Sequence, residues 1–321
     1  MSKYSYCVVV DGKPNKLTRS QSPLRSLARA HFYNVPRGGT LTQYHFDDPR
    51  IRLRVLSLGA GVQSSTLALM IEHGEVEPVD CAIFADTMAE PKKVYEYLSW
   101  LRTQVSFPIF TTSLGNLEKD SLRVQRSKKS GNLYVRAELP LYTLSDTGER
   151  GMMPRQCTRN YKIVPINRKV RDLLDVKMIN NRHRNLVTML IGISTDEVQR
   201  MKPSRLDWIT NSWPLIDLNM SRRDCLERSE RFNLPRPPRS SCKMCPYHSD
   251  DEWLHLIETS PEEFNEAVEY ERRANESFAQ SDINSASVFL HKSRVPLDKV
   301  QFVRGVNARS FNEECEGMCG L

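Results

Sequence analysis

Two stretches of this chain carry residue types at a spacing that can do chemistry. The first is Gly59-Ala-Gly-Val-Gln-Ser-Ser-Thr66, which follows an apolar strand ending at Ser57 and opens a helix. Small residues let a backbone approach an anion, and a helix start offers unpaired N–H groups and the positive end of a dipole. Ser64, Ser65 and Thr66 add hydroxyls. No Gly-Lys-Ser/Thr follows the turn and Gly-x-Gly-x-x-Gly is not completed, which excludes a Walker A loop and the dinucleotide fingerprint. A glycine turn of this size can also be purely structural. The second stretch is Cys242-Lys-Met-Cys245-Pro246, whose spacing aims two thiolates at one centre. An iron–sulfur cluster and zinc both use it. A thioredoxin-type pair is the third reading, although no βαβ unit precedes it.

Other charged groups cluster near these. Arg155, Arg159 and Lys162 are close enough in sequence to clamp phosphates, or they form a solvated cationic helix start. Asp86 ends an apolar strand and can hold Mg²⁺ or a ribose hydroxyl, or cap the next helix. Glu197 and Arg200 stand at i,i+3 and read either as a helix ion pair or as a site arginine.

Alternating strands and helices must position these groups. Strands are expected at 52–57, 79–84, 108–111 and 186–193, and helices at 64–72, 91–103, 162–174, 250–258 and 261–277. The near-continuous apolar run 186–193 suits a strand buried on both faces. The pattern predicts an α/β fold with a doubly wound, mostly parallel sheet, where ligands sit beyond the C-terminal strand ends. Residues 1–50 form a basic extension with a strand over 6–10, a turn at Asp11-Gly12 and a short helix over 26–30. Residues 51–233 form the nucleotide-binding domain, and 234–321 a small helical region with the Cys pair and a Cys-rich tail. Residues 116–153 read as a long basic loop containing Arg123, Arg126, Lys128 and Lys129.

Composition narrows the choice of partner. The chain has 321 residues, with 39 % hydrophobic and 26 % charged, ordinary for a globular protein. Lys plus Arg is 46 against 39 acids, a net charge of +7 that suits a polyanion without being histone-like. No apolar run approaches the roughly 20 residues of a bilayer span, and no secretory leader is evident, so a cytoplasmic protein without membrane contact is expected. The eight cysteines are then core thiols, ligands or redox groups before they are disulfides. Cys7, Cys81 and Cys225 sit in apolar elements and read as core residues.

The glycine turn resembles the loop of the adenine-nucleotide α-hydrolase superfamily, specifically the phosphoadenosine-phosphosulfate (PAPS) reductase family of PP-loop ATP-pyrophosphatases. That family's loop reads Ser-Gly-Gly-x-Asp-Ser. Here Gly59 replaces its Ser and Gln63 its Asp, a form similar to a divergent branch common in phages and bacteria. Three further segments fall in the family's order: Phe84-Ala-Asp-Thr87 with Glu90-Pro91, Arg155-Gln-Cys-Thr-Arg-Asn-Tyr-Lys-Ile-Val-Pro165, and Gly192-Ile-Ser-Thr-Asp-Glu-Val-Gln-Arg200. The resemblance covers about residues 52–321. It implies a nucleotide site at Ser57, Gly59, Ala60, Gly61, Gln63, Ser64, Ser65, Thr66, Asp86, Thr87, Gly192 and Arg200, with Asp86, Arg155, Lys162 and Cys319 acting in catalysis.

It also places Cys157 where iron–sulfur members of the family have cluster cysteines. A [4Fe–4S] cluster, or alternatively Zn²⁺, would then take Cys157, Cys242, Cys245 and a fourth ligand from the tail, Cys315 before Cys319, with His248 as the runner-up. Two reactions are consistent with the resemblance. ATP, with Mg²⁺, activates a DNA, RNA or nucleotide acceptor, pyrophosphate leaves, and sulfur from a donor completes a thiolation. Alternatively, Cys319 attacks adenylyl sulfate or its 3′-phosphate and a thiol reductant releases sulfite. A non-catalytic ATP sensor is the third reading. Trp208 and Trp213, near Arg205, are potential base-stacking groups, though such residues are more often core. A phage-encoded form would act in the host cytoplasm.

Overall fold

The computed structural model describes strands within residues 4–36, and then residues 50–174, 186–283 and 286–305. The opening strands are β1 (Tyr4–Val10), β2 (Lys13–Leu17) and β3 (His31–Pro36), an antiparallel sheet in the order β2-β1-β3. The expected strand over 6–10 falls on β1, and the turn at Asp11-Gly12 lies outside the described residues. The short helix expected over 26–30 lies outside the described residues.

The chain continues through β4 (Leu53–Leu58), α1 (Val62–Glu72), β5 (Cys81–Ala85), α2 (Lys92–Gln104) and β6 (Ile109–Thr112). An excursion follows: α3 (Leu117–Ser121), the hairpin β7 (Val124–Arg126) and β8 (Leu133–Val135), then β9 (Tyr142–Leu144) and β10 (Arg150–Met152). A wide π-turn over Thr158–Ile163 enters α4 (Val164–Leu174). Next come β11 (Val187–Ile191), a 3₁₀ turn at Thr195–Arg200 and β12 (Ile209–Ser212). Helices α5 (Pro214–Asp217), α6 (Arg222–Arg231), α7 (Asp250–Thr259) and α8 (Pro261–Ala279) precede β13 (Ser287–Phe289).

The central sheet has five strands in the order β12-β11-β4-β5-β6, every neighbouring pair parallel. Successive side chains of a strand point to opposite faces, and the core divides accordingly. Leu56, Leu58, Ala82, Phe84 and Leu190 pack with α1, α2 and Cys225 of α6. Val55, Cys81, Ile83, Ala85, Val187, Met189 and Ile191 pack with Ile166 and Val170 of α4. Helices on both faces make the fold a doubly wound, Rossmann-like α/β layer. The chain leaves β4 toward β5 and β6 and returns to β11 on β4's other side, so the strand order reverses between β4 and β11. A crevice at that reversal is where such sheets take ligands.

The stretch 116–153, expected as a loop, is instead a set of very short elements with a core of its own. Leu117, Leu122, Val135, Leu139 and Leu141 pack with Trp253, Tyr270, Ala274, Phe278, Val288 and Leu290. Strand β9 lies between β10 and β13, and Tyr270 meets Ser121 at 3.0 Å. The excursion and the C-terminal helices are therefore one packed unit. Capping boxes start α6 (Ser221 with Asp224) and α7 (Ser249 with Glu252).

Candidate functional site

The glycine turn stands at the strand reversal. Ala60 is held at φ +57°, a left-handed conformation that costs a non-glycine residue about 1–2 kcal/mol. The first α1 hydrogen bond runs from Ser65 N to Gly61 O. The N-cap residue, Gly61, has no side chain with which to cap the helix, and no acid lies in the first turn. Such an end suits an anion chemically, although the turn is buried, residues 55 to 71 throughout. Two of the three hydroxyls expected as donors, those of Ser64 and Thr66, have other commitments, while the buried Ser65 Oγ has no hydrogen-bond partner among the described residues. Ser64 Oγ accepts from Gly59 N at 3.2 Å, closing the turn on itself. Thr66 donates to the Cys225 carbonyl of α6 at 3.4 Å, and Ser65 lies beside Tyr97 of α2. Ser57 Oγ, buried at the end of β4, has no hydrogen-bond partner.

Gln63, fully buried in the first turn of α1, reaches across the reversal to the segment after β11. Its Nε2 donates to Glu197 Oε2 at 3.2 Å and lies 3.5 Å from Ser194 Oγ. Glu197 Oε1 accepts from Arg200 Nη1. The Glu197–Arg200 pair is thus present, and it continues into the glycine turn through Gln63. Asp196 accepts from the Arg222 amide at 2.5 Å and from Ser194 Oγ at 3.3 Å, fastening the start of α6 to the same segment. Gly192 follows β11 and is buried.

Asp86 ends β5 and holds its own loop: Oδ1 accepts from the Met88 amide at 2.7 Å and from Tyr95 Oη at 2.8 Å. Burial, together with this bond, pushes the Tyr95 phenol up. The next helix begins at Pro91 without a side-chain cap, so Asp86 is not its cap. Thr87 reaches the cysteines. Its Oγ1 lies 3.5 Å from Cys242 Sγ and 3.4 Å from Glu90 Oε1.

There the structure gathers a second site. Thr87, Leu117, Leu139, Pro140, Arg155, Cys157, Lys162, Cys242, Cys245 and Tyr247 line one pocket. Lys162 is not solvated: it is buried against Glu90, Nζ to Oε1 3.2 Å, with side chains 6 % and 1 % exposed. Arg155 stacks over the Tyr247 ring at 5.4 Å, whereas Arg159 is exposed. Burial and the Glu90 charge push the Cys242 thiol well up, against the pull of Lys162. Cys157 N donates to the Glu138 carbonyl at 2.8 Å, and the Glu138 carboxylate binds Asn160 at 2.7 Å, so the thiol sits on a braced turn. His248 is set apart, bonded to Ser241 at 2.9 Å and stacked edge-on against Trp253, with burial pushing its pKa down to about 3.

Three of the four expected metal ligands therefore share a pocket, and their thiol donors suit a cluster or zinc. As placed, no group of three His, Cys, Asp or Glu among the described residues is close enough to hold a metal ion. Cys315 and Cys319 lie outside the described residues. No described helix is long and apolar enough to cross a membrane. Trp208 is buried under Arg171, and Trp213 packs against the same core, so neither is an exposed stacking platform.

No family model matches the chain, and no curated protein matches it in sequence. Among solved structures, the phosphoadenylyl-sulfate (PAPS) reductase from Candida auris, in its phosphate complex, is similar over 60 % of this chain and 76 % of its own, at 14 % identity and a TM-score of 0.37. A likeness that distant carries no argument about activity.

Sequence reasoning missed Glu90 and Glu197 as the acids that hold Lys162 and Gln63. Glu90 stood in a quoted motif. Nothing local to it names a lysine on a distant turn as its partner.

Proposed function

We propose that the chain binds an adenine nucleotide, with its phosphate oxyanions at the start of α1, and acts as an ATP-pyrophosphatase-type enzyme on a nucleic acid or nucleotide. One observation carries the reading: an acid-free helix start at the strand reversal, preceded by a glycine with no side chain to cap it, while the buried Ser57 Oγ at the end of β4 has no partner among the described residues. An oxyanion would satisfy those amides and that hydroxyl together. In the reaction an acceptor oxygen bonds to the α-phosphorus while the bond to pyrophosphate breaks. The first-turn amides stabilise the charge that develops. Asp86 uses Oδ1 for its own loop, and Oδ2 is the oxygen that would meet Mg²⁺ or a ribose hydroxyl.

The cysteine pocket is the proposed second centre. Cys157, Cys242 and Cys245 would hold a [4Fe–4S] cluster or Zn²⁺; a bound cluster supplies sulfur or electrons. The Glu90–Lys162 pair supports the wall behind Cys242, and Arg155 over Tyr247 sets a cation on the pocket's lining. Pyrophosphate release from ATP, with and without RNA or DNA, tests the reading. Release stimulated by either supports it. Sulfite formed from adenylyl sulfate with a thiol reductant, with ATP untouched, replaces it with a reductase. ATP binding with neither reaction leaves a sensor.

A further inference from the structure

Resting on that nucleotide reading, we infer that Gln63 is the residue that reads a ribose hydroxyl of the bound nucleotide, and that Glu197 is the positioning residue that makes it able to do so. An amide side chain can present either its donor or its acceptor end, and a neighbour must decide which. Here Glu197 decides. Its carboxylate only accepts, and it takes Gln63 Nε2 at 3.2 Å while its other oxygen takes Arg200. The opposite amide orientation would set two acceptor oxygens against each other. Gln63 Oε1 is thereby fixed as an acceptor, and it is fully buried with no hydrogen-bond partner among the described residues. A buried acceptor left unmade is costly, and native proteins keep few of them.

A ligand donor close to the oxyanion site would supply the bond that Oε1 lacks, because Gln63 lies in the first turn of the helix proposed to meet those oxyanions. In a nucleoside 5′-phosphate the donors nearest the phosphates are the ribose hydroxyls; the base amine lies at the far end. Gln63 also stands where the resembling loop has a carboxylate. A carboxylate there would face Glu197 directly, so the amide is the residue this arrangement requires. Glu197 acts through Gln63, which it grips from the segment after β11 while also holding Arg200.

The test compares dissociation constants of ATP, 2′-deoxy-ATP, 3′-deoxy-ATP and inorganic pyrophosphate for the full chain, for Glu197→Gln and for Gln63→Met, by calorimetry. Wild type should bind ATP about tenfold more tightly than one of the two deoxy analogues, the worth of one buried hydrogen bond. Both variants should lose that ratio, Glu197→Gln because Gln63 is then free to turn over, while pyrophosphate binds to Gln63→Met as it does to wild type. A merely structural role would weaken all four probes alike and leave the ratio standing. ATP binding without discrimination in wild type, or discrimination unchanged in both variants, overturns the inference alone. Failure of wild type to bind either ATP or pyrophosphate overturns the nucleotide reading beneath it. If Glu197→Gln does not fold, Gln63→Met decides.

Discussion

Replacing Lys162 with Met should destabilise the fold far more than replacing Lys162 and Glu90 together. The pair is 3.2 Å apart with side chains 6 % and 1 % exposed, so solvent screens it little. At an effective dielectric constant of about 20, that separation corresponds to an attraction of about 5 kcal/mol. Desolvation offsets much of this when both partners are present. Removing the lysine alone leaves a buried carboxylate whose Oε2 already has no partner, beside a thiol that cannot neutralise it. Lys162→Met should therefore cost about 3–5 kcal/mol. The double variant Glu90→Gln/Lys162→Met should recover at least about 2 kcal/mol of that, because an amide needs no counter-charge. Urea denaturation of wild type, both single variants and the double variant gives the coupling directly. A single-variant loss below about 1 kcal/mol, or strictly additive effects, would refute the buried-pair reasoning.

Further outcomes follow from other elements. Trp253, fully buried between His248 and Phe264, should cost about 3–5 kcal/mol when cut to alanine, read from the urea midpoint. Acid should weaken the fold through Asp250 and His291. Burial pulls the Asp250 carboxyl upward, but the Val303 amide, Lys292 and His291 outweigh it and hold it below 3.8; burial holds His291 below 6.5 despite Asp250. In both cases the unfolded chain takes the proton first. The His291 contribution is lost as pH falls below 6.5, and that of Asp250 as pH falls below 3.8. His291→Gln should flatten the upper part of that decline and Asp250→Asn the lower part; unchanged slopes contradict the assignment. Anaerobically purified protein should carry iron and sulfide with absorption near ~400 nm, lost in Cys157→Ser, if the thiols hold a cluster. A sample loaded only with zinc removes the cluster from the proposal.

The sheet was legible because its strands are buried on both faces and read as apolar runs. Val187–Ile191 is buried at every position, and Cys81–Ala85 likewise. β12 escaped notice because Ile209-Thr-Asn-Ser is a short edge strand in which only Ile209 is buried. α6 is so polar that only Cys225 and Ser229 are buried, although Ser221 with Asp224 was a readable capping box. In 116–153 each strand is three residues long, too short for a period to show, and its partners come from the end of the chain. The glycine turn and the Cys pair are local motifs, so their presence was readable. The roles of their hydroxyls were not. The partners of Thr66, Lys162 and Gln63 were set by tertiary packing.

The most direct test of the central claim is a backbone amide titration of ¹⁵N-labelled protein with ATP and, separately, adenosine. The account predicts that the amides of Gly61, Val62, Gln63 and Ser64 shift strongly with ATP and far less with adenosine, because the phosphates meet those amides while adenosine offers the first turn only a ribose hydroxyl at the Gln63 side chain. Saturation by ATP with those four amides unmoved would contradict it.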